Sequence, residues 1–226
     1  MIGKKYIKNN IGVVRDYLCF SRFYYETSSF WKFLWYRFFP CFKQNKYWPY
    51  HKYSEVRGRV VIGKGARVGH RPNCIIQGRG KVFIGDYVEI GPNCVIISGN
   101  HSLTRQSDVV RKETILGDYC WMASSSIVLA GVVLGPRTIV GAGSVVTKSF
   151  PEGYCVIAGN PAKVVKTISK EDFEQEKPEV EYYGYIRENR FEAFAKKNLS
   201  GIKFEYDLSK ITDNQTMINL FQKYEK

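Results

Sequence analysis

Three histidines, His51, His70 and His101, are the side chains of this chain that titrate unperturbed near neutral pH. His101 heads a polar run, SLTRQSDVVRKET. An imidazole placed there can take the proton of a hydroxyl nucleophile. A lone histidine is as readily structural or superficial, so its setting must decide. His70 follows Gly69 on a turn and reads as a surface residue. Downstream, Ala123, Ser124 and Ser125 carry small side chains that leave their backbone N–H groups room to meet a developing oxyanion. Lys148, Lys163 and Lys166 offer positive charge to a phosphate, although lysines are normally a solvated face. The six cysteines are Cys19, Cys41, Cys74, Cys94, Cys120 and Cys155. They contain no Cys-x-x-Cys pair, so no metal site is expected and reduced thiols are the simplest reading.

The element that must position these groups is a repeat of six residues. Each unit opens on an aliphatic residue, usually followed by a glycine or small residue. IGKGAR starts at Ile62, VGHRPN at Val68, IGDYVE at Ile84, IGPNCV at Ile90 and IISGNH at Ile96. A second run starts at Leu116, Met122, Val128, Leu134, Val140 and Val146, and it holds its phase throughout. Each hexapeptide makes one short strand and one turn, and three make a triangular coil of roughly 18 residues. The expected fold is therefore an all-β core, a left-handed parallel β-helix with helical extensions at both ends. Its aliphatic residues form inward columns. Gly63, Gly69, Gly85, Gly91, Gly117, Gly135 and Gly141 are expected to supply backbone angles that other residues resist. The phase slips at Gln77–Lys81, which suggests a bulge or small loop, and vanishes between His101 and Thr114, which reads as an external loop.

The stretch from Ile84 to Lys166 resembles the hexapeptide-repeat acetyltransferases, among them the galactoside, maltose and xenobiotic acetyltransferases. It is most similar to members that O-acetylate sugars of surface polysaccharides. The resemblance rests on IGDYVEIGPNCVI, then SGNHS, then ILGDYCWMASSSIVLAGVVLGPRTIVGAGSVVTK, then AGNPAKVVK. It implies a homotrimer of parallel prisms with acetyl-CoA in the groove between neighbouring subunits. It places the catalytic base on His101 and acetyl-CoA contacts on Trp121, Ala123, Ser124, Ala142, Thr147, Lys148, Lys163 and Lys166. Acceptor contacts fall on Arg71, where the galactoside enzymes have Asn, and on Asn73. Asp86, Glu89 and Asp108 stand open as partners that could orient His101. A covalent acetyl-enzyme is not expected, because no cysteine or serine of the matched region has a second histidine to activate it.

The flanks divide the chain into 1–57, 58–168 and 169–226. The net charge of +13 sits in the first two segments, which suits phosphates or an anionic membrane. Residues 13–48 are dense in aromatics with Arg and Lys interleaved, and Thr27, Ser28 or Ser29 can cap a short helix running to Pro40. This segment suits either a packed cap or peripheral membrane contact. No nucleic-acid module accompanies the charge. The segment MIGKKYIKNNIG lacks the apolar core of a leader, so a cytoplasmic location is expected, with peripheral contact at the inner membrane face. Further helices are expected from Ser169, over 183–198 and over 213–225. N-acetylation of an amino sugar is the near alternative, and a non-catalytic binding solenoid the distant one. A γ-type carbonic anhydrase on the same fold needs a His-x4-His zinc pair that the chain lacks.

Overall fold

The computed structural model describes residues 17–18, 30–38, 47–173 and 182–222. From Glu55 the chain winds into the parallel left-handed β-helix that the six-residue period predicts, three residues ahead of the expected boundary. Three faces follow one another around each coil. The first stacks 55–58, 75–77, 95–97, 127–128 and 145–146. The second stacks 60–62, 82–84, 114–116 and 133–134. The third stacks 89–90, 121–122, 139–140 and 156–157. Leu134 pairs with Leu116, 18 residues earlier, which is one coil of three hexapeptides. Leu116 pairs with Ile84, 32 residues earlier, so 14 residues leave the prism between those coils.

The aliphatic residue that opens each hexapeptide is the one turned inward. Ile62, Ile84, Leu116 and Leu134 form one column, and Ile76, Ile96, Val128 and Val146 another, all fully buried. Cutting any large member back to alanine costs about 2–5 kcal/mol. The corner between the third and first faces stacks Ser54, Cys74, Cys94, Ser126 and Ser144, all buried. Cys94 Sγ lies 3.5 Å from Ser126 Oγ. Cys74, Cys94, Cys120 and Cys155 are buried free thiols, and burial pushes the Cys120 thiol up to about 12. They are packing residues. Cys19 and Cys41 lie outside the described residues.

The repeat glycines serve a purpose other than the expected one. Of the seven, only Gly69 has a positive φ, +68°. The others sit where a Cβ would strike the neighbouring coil: on Gly135 it would fall 2.1 Å from the Pro151 carbonyl oxygen. Close stacking, not backbone freedom, selects glycine there. The left-handed residue lies two places further on, at Tyr87, Tyr119 and Arg137, with φ of 55°, 58° and 55°. The phase slip is a bulge, with the register shifting between Gly58 and Val60. The polar excursion is not a plain loop. It is an antiparallel hairpin pairing 99–101 with 109–111.

The extensions close the prism. Tyr47 Oη donates to the Ile62 carbonyl and accepts from its N–H, and Trp48 Nε1 donates to the Val68 carbonyl. Such caps cover the open end of a solenoid. Helix α1 spans Phe30–Phe38, as the sequence suggests; its candidate caps Thr27, Ser28 and Ser29 lie outside the described residues. Helix α2 spans Glu188–Asn198 and α3 Gln215–Phe221, both shorter than expected. The residues before α2 form a small antiparallel strand pair instead. Ser169 does cap its segment, but Lys170–Asp172 is a single 3₁₀ turn.

The tail docks on the corner between the second and third faces. There Asp86 and Asp118 are stacked and buried. Asp118 Oδ1 accepts from Asp86 N and its Oδ2 from Asp213 N, while Asn214 Nδ2 donates to both oxygens of Asp86. Desolvation raises both carboxyls above their ordinary range. The tail also covers the second face, where Phe204 meets Phe83 edge to face with ring centres 5.6 Å apart. The first face is left different. Its outward row is Ile75, Val95, Ile127 and Val145, with Ile75 46% exposed. Parallel sheets are ordinarily covered on both sides.

Candidate active site

His101 ends the first strand of the hairpin and is exposed. Two buried hydroxyls hold the hairpin's base. Ser98 Oγ donates to the Gln77 carbonyl and accepts from Gly80 N, each at 2.9 Å. Thr114 Oγ1 donates to the Ile97 carbonyl at 2.7 Å. Neither residue stood out in the sequence. Their signal is a small polar residue at each end of the break in the repeat.

The imidazole is oriented by a group the sequence reading did not consider. Its Nδ1 lies 2.7 Å from the Gln106 carbonyl, across the hairpin turn. A carbonyl can only accept, so this contact puts the proton on Nδ1 and leaves Nε2 as the basic nitrogen. Of the three expected partners, Asp86 is buried in the tail anchor, Glu89 pairs with Arg67 at 2.6 Å, and Asp108 accepts from Ser107 Oγ. His70 is not a surface residue. It is buried, with Nδ1 2.9 Å from the Arg67 carbonyl. Desolvation first, then the neighbouring Arg71 and Arg67 charges, lower its pKa to about 4.

That shift has a sign. His70 stays neutral in the folded chain and protonates in the unfolded chain below its ordinary 6.5, so stability is lost as pH falls from about 6.5 toward 4. The raised Asp86 and Asp118 act oppositely, their contribution declining as pH rises through the folded values. Replacing His70 with Gln keeps a donor for the Arg67 carbonyl and removes the titration. Denaturant unfolding at pH 7 and pH 5 is expected to show the native chain losing about 2 kcal/mol more than the variant. Equal losses would contradict the assignment.

The other expected site residues fall into two groups on opposite sides of the first face. Arg71 and Asn73 lie at the corner between the third and first faces, as do Ala123, Ser124 and Ala142. Asn73 Nδ2 donates to Asn93 Oδ1 of the next coil at 3.1 Å. Trp121, 50% exposed, is on the third face in the row that continues through Ile139 and Val156 to Lys166 on the outer strand, Ala162–Thr167. Lys163 is on the same strand, and Lys163 and Lys166 are both exposed. Three strand steps place Lys166 roughly 14 Å from Trp121. The second group is His101, Thr147 and Lys148, at the corner between the first and second faces. One chain does not bring the two groups together.

The oxyanion donors are fewer than expected. Ala123 N bonds the Val140 carbonyl and Ser125 N the Pro92 carbonyl, both at 2.9 Å. Among the described residues no bond engages Ser124 N or Ala142 N, which stand one above the other on adjacent coils. Ser124 and Ala142 are both exposed, so these two amides, like the imidazole of His101, are open to a ligand.

No family model matches the chain. Over 96 residues it is 33% identical to the galactoside O-acetyltransferase of Lactococcus lactis, the match taking in 41% of this chain and 46% of that one. Over 109 residues it is 33% identical to an Escherichia coli protein whose name, still provisional, is colanic acid biosynthesis acetyltransferase WcaF; 48% of this chain and 58% of that one are covered. The chain thus spans about half the length of the curated relatives it matches. Among solved structures, a hexapeptide-repeat acetyltransferase of Vibrio cholerae in complex with acetyl-coenzyme A is similar at 26% identity, covering 52% of this chain and 64% of that one, with a TM-score of 0.47. Over the part that they share, the six-residue period and stacked coils of this chain go with a sequence similarity to curated sugar O-acetyltransferases.

Proposed function

We propose that this chain is an acetyl-CoA-dependent O-acetyltransferase acting on a sugar hydroxyl in the making of a surface polysaccharide, and that it works as a homotrimer. The observation that carries the reading is His101, exposed, with Nδ1 held by a backbone carbonyl and Nε2 left basic. Sequence similarity to a galactoside O-acetyltransferase and to a protein named for colanic acid biosynthesis supports the sugar acceptor. The aliphatic row that the first face turns outward, Ile75, Val95, Ile127 and Val145, supports assembly. A second prism laid along it would bring the His101 corner of one subunit toward the Ser124 corner of the next.

The chemistry follows from those groups. Acetyl-CoA lies along the groove past Trp121, Ala123, Ser124, Ala142, Thr147 and Lys148, with its phosphates toward Lys163 and Lys166. The acceptor meets Arg71 and Asn73. His101 Nε2 takes the hydroxyl proton as the oxygen attacks the thioester carbonyl. The Ser124 or Ala142 amide holds the oxyanion. The C–S bond then breaks, and the imidazolium returns its proton to the CoA thiolate. The test is thiol release from acetyl-CoA against a panel of neutral, acidic and amino sugars and lipid-linked oligosaccharides. Release that depends on a hydroxyl acceptor is expected. Binding of acetyl-CoA with no release for any acceptor would favour the silent solenoid, and release with amino sugars alone would favour N-acetylation. Peripheral membrane contact through residues 13–48 belongs to the same reading, since α1 lies in that segment with exposed Trp31 and Trp35.

A further inference from the structure

The hairpin that carries His101 has two sides, and the side of the imidazole also carries arginine. Directly opposed residues of an antiparallel pair turn to the same side, as do residues two apart on one strand. Gly99 pairs with Arg111 and His101 with Val109, so Arg111 is the diagonal neighbour of His101, about 7–8 Å away. Gly99 leaves the place beside Arg111 bare. A Cβ on Gly99 would point to that side and fall 3.0 Å from Arg79 Cβ, so the Arg79 side chain starts there too. One coil away, Arg59 lies with its backbone against Gly78, the residue before Arg79. Lys112 follows Arg111, with its stem against Gly131 of the next coil. Arg59, Arg79, Arg111 and Lys112 are all exposed, and among the described residues none of the four forms an ion pair. Two neighbouring carboxylates are already engaged: Glu55 pairs with Arg57, and Glu113 pairs with Lys81 at 2.7 Å while accepting from Glu205 N and Tyr206 N. From Arg59 to Lys112 the row covers two strand steps, roughly 10 Å. One carboxylate or phosphate cannot meet all of it; a chain that bears acidic groups at intervals can.

We propose that the acceptor is an acidic glycan, and that Arg111, Arg79 and Arg59 hold its carboxylates beside His101. The proposal rests on the reading of His101 as the base of a sugar O-acetyltransferase and adds to it the class of the sugar. The row lies at the level of the acceptor contacts: Arg71 precedes the strand 75–77 and Arg79 follows it, so a parallel neighbour brings Arg71 to the same height. The phosphates of acetyl-CoA are assigned to Lys163 and Lys166 on the last strand of the prism, away from Arg59 on the first. Charge complementarity of this kind selects the acceptor and speeds its encounter.

The probe is fluorescein-labelled hexagalacturonate, compared with its methyl ester, which keeps the hydroxyls and lacks the charge. The native protein is expected to bind the acid at least about tenfold more tightly than the ester at low salt, with the gap closing as salt rises. Arg59→Gln, Arg79→Gln and Arg111→Gln combined are expected to erase most of the gap by weakening the acid alone, with circular dichroism unchanged. In thiol release with the acid as acceptor, the loss is expected to fall on its KM, at least about tenfold, rather than on kcat, and the KM for acetyl-CoA is expected to hold. Equal native affinity for acid and ester, or an undiminished gap in the variant, would overturn the proposal. So would displacement of the acid by coenzyme A, which would give the row to the phosphates of the cofactor. Tighter binding of an oligothymidylate of equal charge would make the row a nucleic-acid surface and overturn it as well. The acetyltransfer reading fails separately. No thiol release from any acceptor, with acid binding still lost in the variant, would sink that reading and leave the row as a glycan site. Thiol release to neutral sugars, with the variant showing no change toward the acid, would sink the row and leave the reading.

Discussion

Replacing His101 with alanine is expected to lower turnover by about 10²–10⁴-fold, the usual worth of a positioned general base. The group that orients it belongs to the backbone, so no second side chain is expected to produce a loss of that size through orientation alone. The Gln106 side chain can change without cost, since only its carbonyl meets Nδ1. A His101→Asn variant keeps the donor toward that carbonyl and still lacks a base, and it is expected to fall as far as the alanine variant. Acetyl-CoA affinity should survive in both, because the hairpin's anchors are Ser98 and Thr114 and not the imidazole. Near-native turnover in either variant, or an acetylated residue trapped in the absence of acceptor, would overturn the direct mechanism.

A charge placed in the middle of the first face is expected to be nearly as damaging, at a distance from the chemistry. Ile127 sits between Val95 and Val145 in the outward aliphatic row. An arginine there faces water in a lone prism and is accommodated. In a trimer it would be buried against another apolar row without a partner, at a cost of several kcal/mol per subunit. Ile127→Arg is therefore expected to give a folded monomer by light scattering, with unchanged circular dichroism and turnover reduced by at least about 10²-fold. The reduction comes from parting the His101 corner from the Ser124 corner. A monomer with native activity, or a trimer that tolerates the arginine, would show that the first face is not the interface.

The fold was legible because a solenoid repeats its instructions. The inward column follows from the period, and the irregularity at Gln77–Lys81 and the excursion after His101 from the two places where the period breaks. The reason for the glycines was less legible, because a small residue serves positive φ and close stacking alike; only coordinates separate Gly69 from Gly135. His101 stood out by its place at the break in the repeat. Its orienting partner did not, since any residue can offer a carbonyl and the turn that delivers Gln106 is set by the hairpin register. His70 was misread for a related reason. A histidine after a turn glycine resembles a surface residue, yet here the corner folds beneath Ser54 and Tyr50. The division of site residues between two corners agrees with the groove between subunits that the resemblance implied, but the hairpin that interrupts the period at His101 hid which corner each residue takes.

That division calls for a site shared between subunits. It is tested most directly by mixing two inactive variants. One carries His101→Ala. The other carries Ala142→Trp, which obstructs the opposite corner. After joint unfolding and refolding in equal amounts, random trimers would pair an intact His101 corner with an intact Ala142 corner at about one quarter of the interfaces. Roughly a quarter of native thiol release is expected in the mixture, and none from either variant alone or from the double variant. No recovery in correctly assembled mixed trimers would contradict it, and would mean that each prism builds its site from its own residues.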